Sequence, residues 1–279
     1  MSAKELITKS QIIKQLEKFR HIKGKIVTVH TSLKAVGEIE DGGETLLDAL
    51  IEFFACDGGL LCVPTHTWNS DIYDRRKAES CIGVLPRLAA AHPKAVRTLH
   101  PTHSMAVFGD KQLVESFVEN EATADTPANP KGCYGKLLSQ DGYVLLIGVG
   151  QEKNTFIHCV EEMLNVPDRL TEHMVERTII HKDGRKEKRY LHWFDNKIPD
   201  VSVYFPKFEA PFRFFGCIED SFIGNAKAQL CSSRKLKDVI ELIYKNNSFG
   251  ELLDNDRRFP RSVHLQACQR QPHGAAGHG

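Results

Sequence analysis

Three short apolar runs, each followed by a polar loop and two of them then by an amphipathic helix, leave this chain few architectures. Ile26 to Val29, Leu60 to Val63 and Tyr143 to Val149 are apolar almost throughout and bounded by turn or glycine signals, as strands buried on both faces are. The first run leads through His30-Thr31-Ser32-Leu33 and Asp41-Gly42-Gly43 to a helix over Glu44 to Ala55, which carries Leu46, Leu47, Leu50, Ile51 and Phe54. The third leads to a helix opened by Asn154 or Thr155, carried by Phe156, Val160 and Leu164 and stopped by Pro167. This alternation predicts an α/β fold: a single large domain over residues 1–247, with a central mixed, mainly parallel sheet flanked by helices. Val175 to Ile180 and Lys188 to Phe194, joined through Asp183-Gly184, add a small β-hairpin. Residues 248–279 are small and polar without periodicity and read as a disordered or artificial tail.

Chemistry gathers just past the predicted strand ends, where open α/β sheets bind ligands. On the helix after the third strand, His158 lies one turn before Glu161 and Glu162, so either carboxylate can reach the imidazole. An exposed amphipathic helix gives the same spacing to a solvated His-Glu pair. Thr31-Ser32-Leu33 followed by Gly42-Gly43 offers hydroxyls and backbone N–H groups to an anion, although such residues are ordinary in loops. His30 reads equally as a site residue or a buried strand-end histidine. Pro64 to Asn69 supplies polar and aromatic side chains for a pocket wall, and Asp71, Asp74 and Glu79 are acids available to a cationic substrate or to solvent. His100 and His103, with His30, His66 or Asp74, are a conceivable zinc set, but H-P-T-H lacks the carboxylate and helix context of H-E-x-x-H.

The formal net charge of +1 makes no case for a nucleic-acid or membrane partner. No run approaches 18 apolar residues and Met1 to Leu6 lacks the apolar core of a signal peptide, which predicts a cytoplasmic protein, monomeric or homodimeric. The eight cysteines form no C-x-x-C pair and mostly neighbour apolar residues, as reduced core cysteines do.

Four segments resemble the aminoglycoside 3-N-acetyltransferase family, the antibiotic N-acetyltransferases outside the GNAT superfamily. Asp125 to Leu170, containing N-T-F-I-H-C-V-E-E, is similar to the family's central segment, where the histidine of H-x-x-E is the catalytic base. V-H-T-S-L-K-A-V-G from Val29 to Gly37, followed by G-G, looks like its coenzyme A loop. V-R-T-L-H-P-T-H-S-M-A-V-F-G from Val96 to Gly109 resembles R-S-x-H-P-x-H-S-x-A-x-x-G, and Phe222 to Leu230 resembles a closing G-x-A-x-x-x-L. The resemblance implies an acyltransferase that moves the acetyl group of acetyl-CoA to a primary amine, an aminoglycoside 3-amino group or a related one, without a metal. It implies His158 as general base with Glu161 as its partner, Asp195 being the alternative partner. It implies Thr31, Ser32, Leu33, Val36, Gly37, His100 and Ser104 as cofactor contacts, with Ser104 and the Thr31-Ser32 loop as candidate donors to the thioester oxygen. Asp71, Asp74 and Glu162 are the acids proposed to hold the amine. Two other classes fit parts of the chain: an acyl hydrolase using Cys133, Cys159 or Ser32 with His158, and a coenzyme A binder without catalysis.

Overall fold

The computed structural model describes residues 6–194, 197 and 200–246. Seven strands form one sheet in the order β4-β5-β2-β1-β6-β10-β9, with β1 at Ile26–Thr31, β2 at Leu60–Pro64, β4 at Val96–Arg97, β5 at Met105–Phe108, β6 at Tyr143–Ile147, β9 at Ile218–Ile223 and β10 at Ala226–Ser232. The three runs of the sequence are β1, β2 and β6, and they lie side by side and parallel at its centre. The expected mixed sheet is present, but parallel pairing stops there. β5 on β2, β4 on β5, β10 on β6 and β9 on β10 are all antiparallel. Strands covered on both faces show themselves as apolar runs, whereas β4, β9 and β10 carry Arg97, Glu219, Asp220 and Lys227, which hides them among loops, and β5, apolar and covered on both faces, is only four residues long.

Successive side chains of the central strands feed two cores. Val27, Val29, Leu61, Val63, Leu145 and Ile147 pack toward α1 (Lys9–Leu16), α3 (Gly43–Phe54) and α4 (Val84–Ala91). Ile26, Leu60, Cys62, Val144 and Leu146 point the other way, toward α5 (Lys111–Val118), α6 (Cys133–Ser139), α7 (Phe156–Met163) and α9 (Ser233–Asn246). This is the period of two that a pleated strand imposes. At the start of α1, Thr8 accepts from the Gln11 N–H while the Gln11 side chain accepts from the Thr8 N–H, a reciprocal capping box.

The hairpin is larger than its sequence shows. β7 (Val175–Ile180) pairs antiparallel with β8 (Lys186–Leu191), and β3 (Ile72–Asp74) adds a parallel strand to β7, making a second, three-stranded sheet. The 3₁₀ segment Val201–Phe208 and α8 (Glu209–Phe214) also lack a clear sequence signal; their Phe205, Phe208 and Phe212 are fully buried. No helix among the described residues is long and apolar enough to cross a membrane. The tail beyond Asn246 lies outside the described residues.

Candidate active site

A cavity of about 660 Å³ opens at the C-terminal ends of the three parallel strands. Its walls take Val29, His30 and Thr31 from the end of β1, Pro64, His66 and Trp68 from β2 and the loop after it, and Val149 and Glu152 to Thr155 from the loop after β6. His158 enters from α7, and Trp193, Phe194 and Phe205 close the far side. Main-chain N–H and C=O groups freed where parallel strands end, together with the side chains of the loops, make this the binding edge of such a sheet.

The His158 imidazole is fixed from both sides. Nδ1 lies 3.0 Å from Glu161 Oε2, one helical turn on, so its N–H donates to the carboxylate and the lone pair of the neutral ring falls on Nε2. The ring faces pack on Phe194 and Phe205, with centroids 4.4 and 4.7 Å away. Glu161 is 1% exposed and its other oxygen accepts from Arg169 Nε at 2.6 Å, an arginine itself 4% exposed. A buried carboxylate thus receives one charge-assisted bond from the arginine and one from the imidazole. Arg169 was not among the candidates, because a guanidinium carried back by a turn at Asn165 and Asp168, both at positive φ, leaves no periodic trace. Asp195, the alternative partner, lies outside the described residues.

Removing the carboxylate should be felt in stability as well as activity. Glu161→Ala breaks the buried pair that its carboxylate makes with Arg169, which costs about 3–5 kcal/mol. A urea midpoint far below that of the wild type is expected, partly recovered in Glu161→Ala/Arg169→Met. A single variant as stable as the wild type would mean that the bond to Glu161 adds nothing to the hold on Arg169.

Glu162, adjacent to Glu161, faces elsewhere: its oxygens accept from Thr126 Oγ1 at 2.5 Å and from the Ala128 N–H at 3.0 Å. Burial pushes its carboxyl up to about 7. Asp74 is held by Arg76 through Nε at 2.9 Å and Nη2 at 2.8 Å, and Asp71 pairs with Arg177 at 2.8 Å. None of these three acids lines the cavity, so the expected anionic binding face is not assembled from them.

The H-P-T-H-S segment has a different task from the expected one. His100 Nδ1 accepts from the His103 N–H at 2.9 Å, which leaves Nε2–H to donate to the Thr126 carbonyl at 2.9 Å. Ser104 Oγ donates to the Thr65 carbonyl at 2.9 Å and accepts from Arg97 Nη2 at 2.7 Å. Both side chains are buried, fully engaged and outside the cavity wall; they brace the loop that presents His103 to it. Ser104 therefore has no bond left for a thioester oxygen.

In the loop after β1, Thr31 reaches the cavity, and its buried Oγ1 has no hydrogen-bond partner among the described residues. Ser32 donates its N–H to the Ile147 carbonyl at 2.9 Å and opens the short helix α2 (Leu33–Val36). Leu33 and Val36 pack on the core, Val36 at 0% exposure, and Gly37 turns the chain at φ +105° where a side chain would meet Asn225 at 2.7 Å. Four of the five expected contacts here shape the turn, and only Thr31 has its side chain at the cavity.

Nucleophilic alternatives find no geometry. Cys133 and Cys159 are fully buried in the core and burial raises both thiols well above their ordinary range, while neither they nor Ser32 line the cavity. Cys81 does line it, but its thiol donates to the His66 carbonyl rather than to an imidazole. Among the described residues no three His, Cys, Asp or Glu side chains converge as a metal site.

A family model described as aminoglycoside 3-N-acetyltransferase matches residues 28–244. Aminoglycoside N(3)-acetyltransferase VII of Streptomyces paromomycinus is 24% identical over 262 residues, covering 83% of this chain and 89% of its own. Aminoglycoside N(3)-acetyltransferase IV of a Salmonella species is 29% identical over 183 residues, covering 63% and 66%. The crystal structure of YokD from Bacillus subtilis superposes with a TM-score of 0.74 at 20% identity, over 90% of this chain and 97% of that one. AAC-IIIb, solved as a binary complex with CoASH, gives 0.72 at 20% identity, over 84% and 94%. With a match that begins within β1 and takes in the His158 helix and strands β9 and β10, the chain belongs to the aminoglycoside 3-N-acetyltransferase family of acyltransferases.

Proposed function

We propose that the protein transfers an acetyl group from acetyl-CoA directly to a primary amine, with His158 as general base and Glu161 as its orienting partner. The observation that carries this reading is the imidazole at the cavity wall whose Nδ1 is held by a buried, arginine-backed carboxylate. An alkylamine with pKa near about 10 is mostly ammonium at neutral pH, and the nitrogen that attacks the thioester carbon must shed a proton. His158 Nε2 accepts that proton as the N–C bond forms, and the Glu161 carboxylate stabilises the imidazolium. When the C–S bond breaks, its electron pair leaves on sulfur and the proton passes from the imidazolium to the thiolate, giving an amide and the free thiol of coenzyme A. Thr31 Oγ1 is the donor available to the carbonyl oxygen as it becomes negative. Coenzyme A is the cofactor supported by the relative solved with CoASH.

Thiol release from acetyl-CoA, followed over a panel of primary amines and in their absence, tests this. Release that requires an amine and leaves no acetylated protein in intact-mass spectra is the expected result. Amine-independent release with an acetylated serine or cysteine would point to a hydrolase instead, and thioester binding without turnover of any amine would leave only a binder.

A further inference from the structure

Four buried polar atoms of residues in the cavity wall, His30 Nε2, Thr31 Oγ1, His66 Nδ1 and Asn154 Oδ1, have no hydrogen-bond partner among the described residues. A buried polar atom left without a partner is costly, so several on one wall mark where a ligand completes the bonding. Thr31 is the donor already given to the thioester oxygen. An imidazole nitrogen donates in one tautomer and accepts in the other, so His30 and His66 carry no fixed sense. Asn154 differs from them.

Its sense is set through Gln151. The Cys231 thiol donates to the Gln229 carbonyl at 3.9 Å, which leaves the sulfur to accept from Gln151 Nε2 at 3.7 Å. Gln151 is thereby turned with Oε1 toward Asn154 and accepts from Asn154 Nδ2 at 2.8 Å. What remains of the amide is Oδ1, a pure acceptor on a side chain 0% exposed. The main chain is held too: the Asn154 carbonyl accepts the Ile157 N–H, and the Thr155 carbonyl accepts the His158 N–H, both at 3.1 Å. Asn154 and His158 thus stand four residues apart across one bonded helix start, and both belong to the wall.

We infer that Asn154 is a catalytic residue of the acetyl transfer, its Oδ1 accepting one N–H of the attacking primary amine while His158 Nε2 accepts the other. This rests on the acetyl-transfer reading above and deepens it. A nitrogen held by two acceptors has its orientation fixed, with the lone pair left for the thioester carbon. The neutrality of the amide matters to the chemistry. A carboxylate at the same place would favour the ammonium and oppose loss of the proton, whereas an amide oxygen holds an N–H without adding charge. The bonding change is the one already given: one N–C bond forms, one C–S bond breaks, and the amine proton ends on the coenzyme A thiol. Any primary amine carries the two N–H groups this pair takes, an aminoglycoside amino group included.

The test follows thiol release from acetyl-CoA with sisomicin and with cyclohexylamine, on the full chain, for the wild type, Asn154→Leu and Asn154→Asp, beside calorimetric titration with coenzyme A. Asn154→Leu, close in size but without an acceptor, is expected to lower kcat/KM for the amine roughly 10- to 100-fold, with coenzyme A affinity nearly unchanged. Asn154→Asp restores an acceptor oxygen together with a charge. The rise of its kcat with pH is expected to move up by about 1 unit or more, because the carboxylate favours the ammonium. A purely structural asparagine would not move that profile. Asn154→Leu as active as the wild type, a loss that appears equally in coenzyme A affinity, or an Asn154→Asp profile at the wild-type pH overturns this inference and leaves acetyl transfer standing. Failure of the wild type to turn over any amine removes both.

Discussion

His158→Ala is expected to lower kcat by about 100- to 10,000-fold, the range of a positioned general base, while acetyl-CoA binds with nearly unchanged affinity. The size of the effect follows from the geometry. Glu161 fixes the ring by its Nδ1 and two phenylalanine faces hold its plane, so Nε2 is presented to the cavity without conformational search. Among the described residues no second base is placed to substitute for it: the Cys133 and Cys159 thiols are buried away from the cavity, and burial lowers the His30, His66 and His103 imidazoles, which makes them poor proton acceptors. His158 is only 12% exposed, yet the alanine variant should fold, since it keeps the Glu161–Arg169 pair. Calorimetric titration with coenzyme A beside steady-state kinetics separates the two quantities. A loss in kcat under about tenfold would assign the base elsewhere, and an equal loss in coenzyme A affinity would make His158 a binding residue.

Acidification from pH 7 to pH 5 is expected to destabilise the fold by several kcal/mol. His30 and His100 are buried and pushed down to about 4, chiefly by desolvation, and His66 and His103 are lowered in the same direction. A histidine protonated near about 6.5 in the unfolded chain but near 4 in the fold binds its proton better when unfolded. Its contribution is present above about 6.5 and is lost as pH falls toward 4, roughly 2 kcal/mol for each such group between pH 7 and 5. Glu162 runs the other way. Its carboxyl, raised to about 7 by burial, strains the fold when charged, and protonation at pH 5 returns roughly 2 kcal/mol. Buried Glu121 is raised likewise. Four histidines outweigh two carboxyls, so the net change is a loss. Urea midpoints at the two pH values decide the matter, and equal stability would show that these imidazoles are hydrated.

What the sequence made legible is what has local cause. β1, β2 and β6 are apolar because both their faces are covered, and α7 shows its face through Phe156 and Val160, so the strand ends and the His158–Glu161 turn could be placed from spacing alone. Thr155 stands at the expected helix start, although its side chain makes no cap hydrogen bond. The far wall escaped: the hairpin was legible, but nothing in its spacing tells that Trp193 and Phe194 reach the cavity, and Phe205 arrives on a 3₁₀ turn whose sequence carries no strong period. The acids misled for a related reason. Asp71 and Asp74 are as acidic in a sequence as any ligand-binding carboxylate, and only the fold reveals that Arg177 and Arg76 already occupy them.

The second sheet bears on the order in which the protein is made. Ile72 pairs with Thr178, so closing that ladder spans more than a hundred residues and costs roughly 4 kcal/mol of chain entropy before β3 gains anything. On a ribosome, a nascent chain emerged as far as Arg169 already holds the base, its carboxylate and the arginine behind them. The rings of Trp193 and Phe194 arrive only with the hairpin, so until then His158 stands open to water.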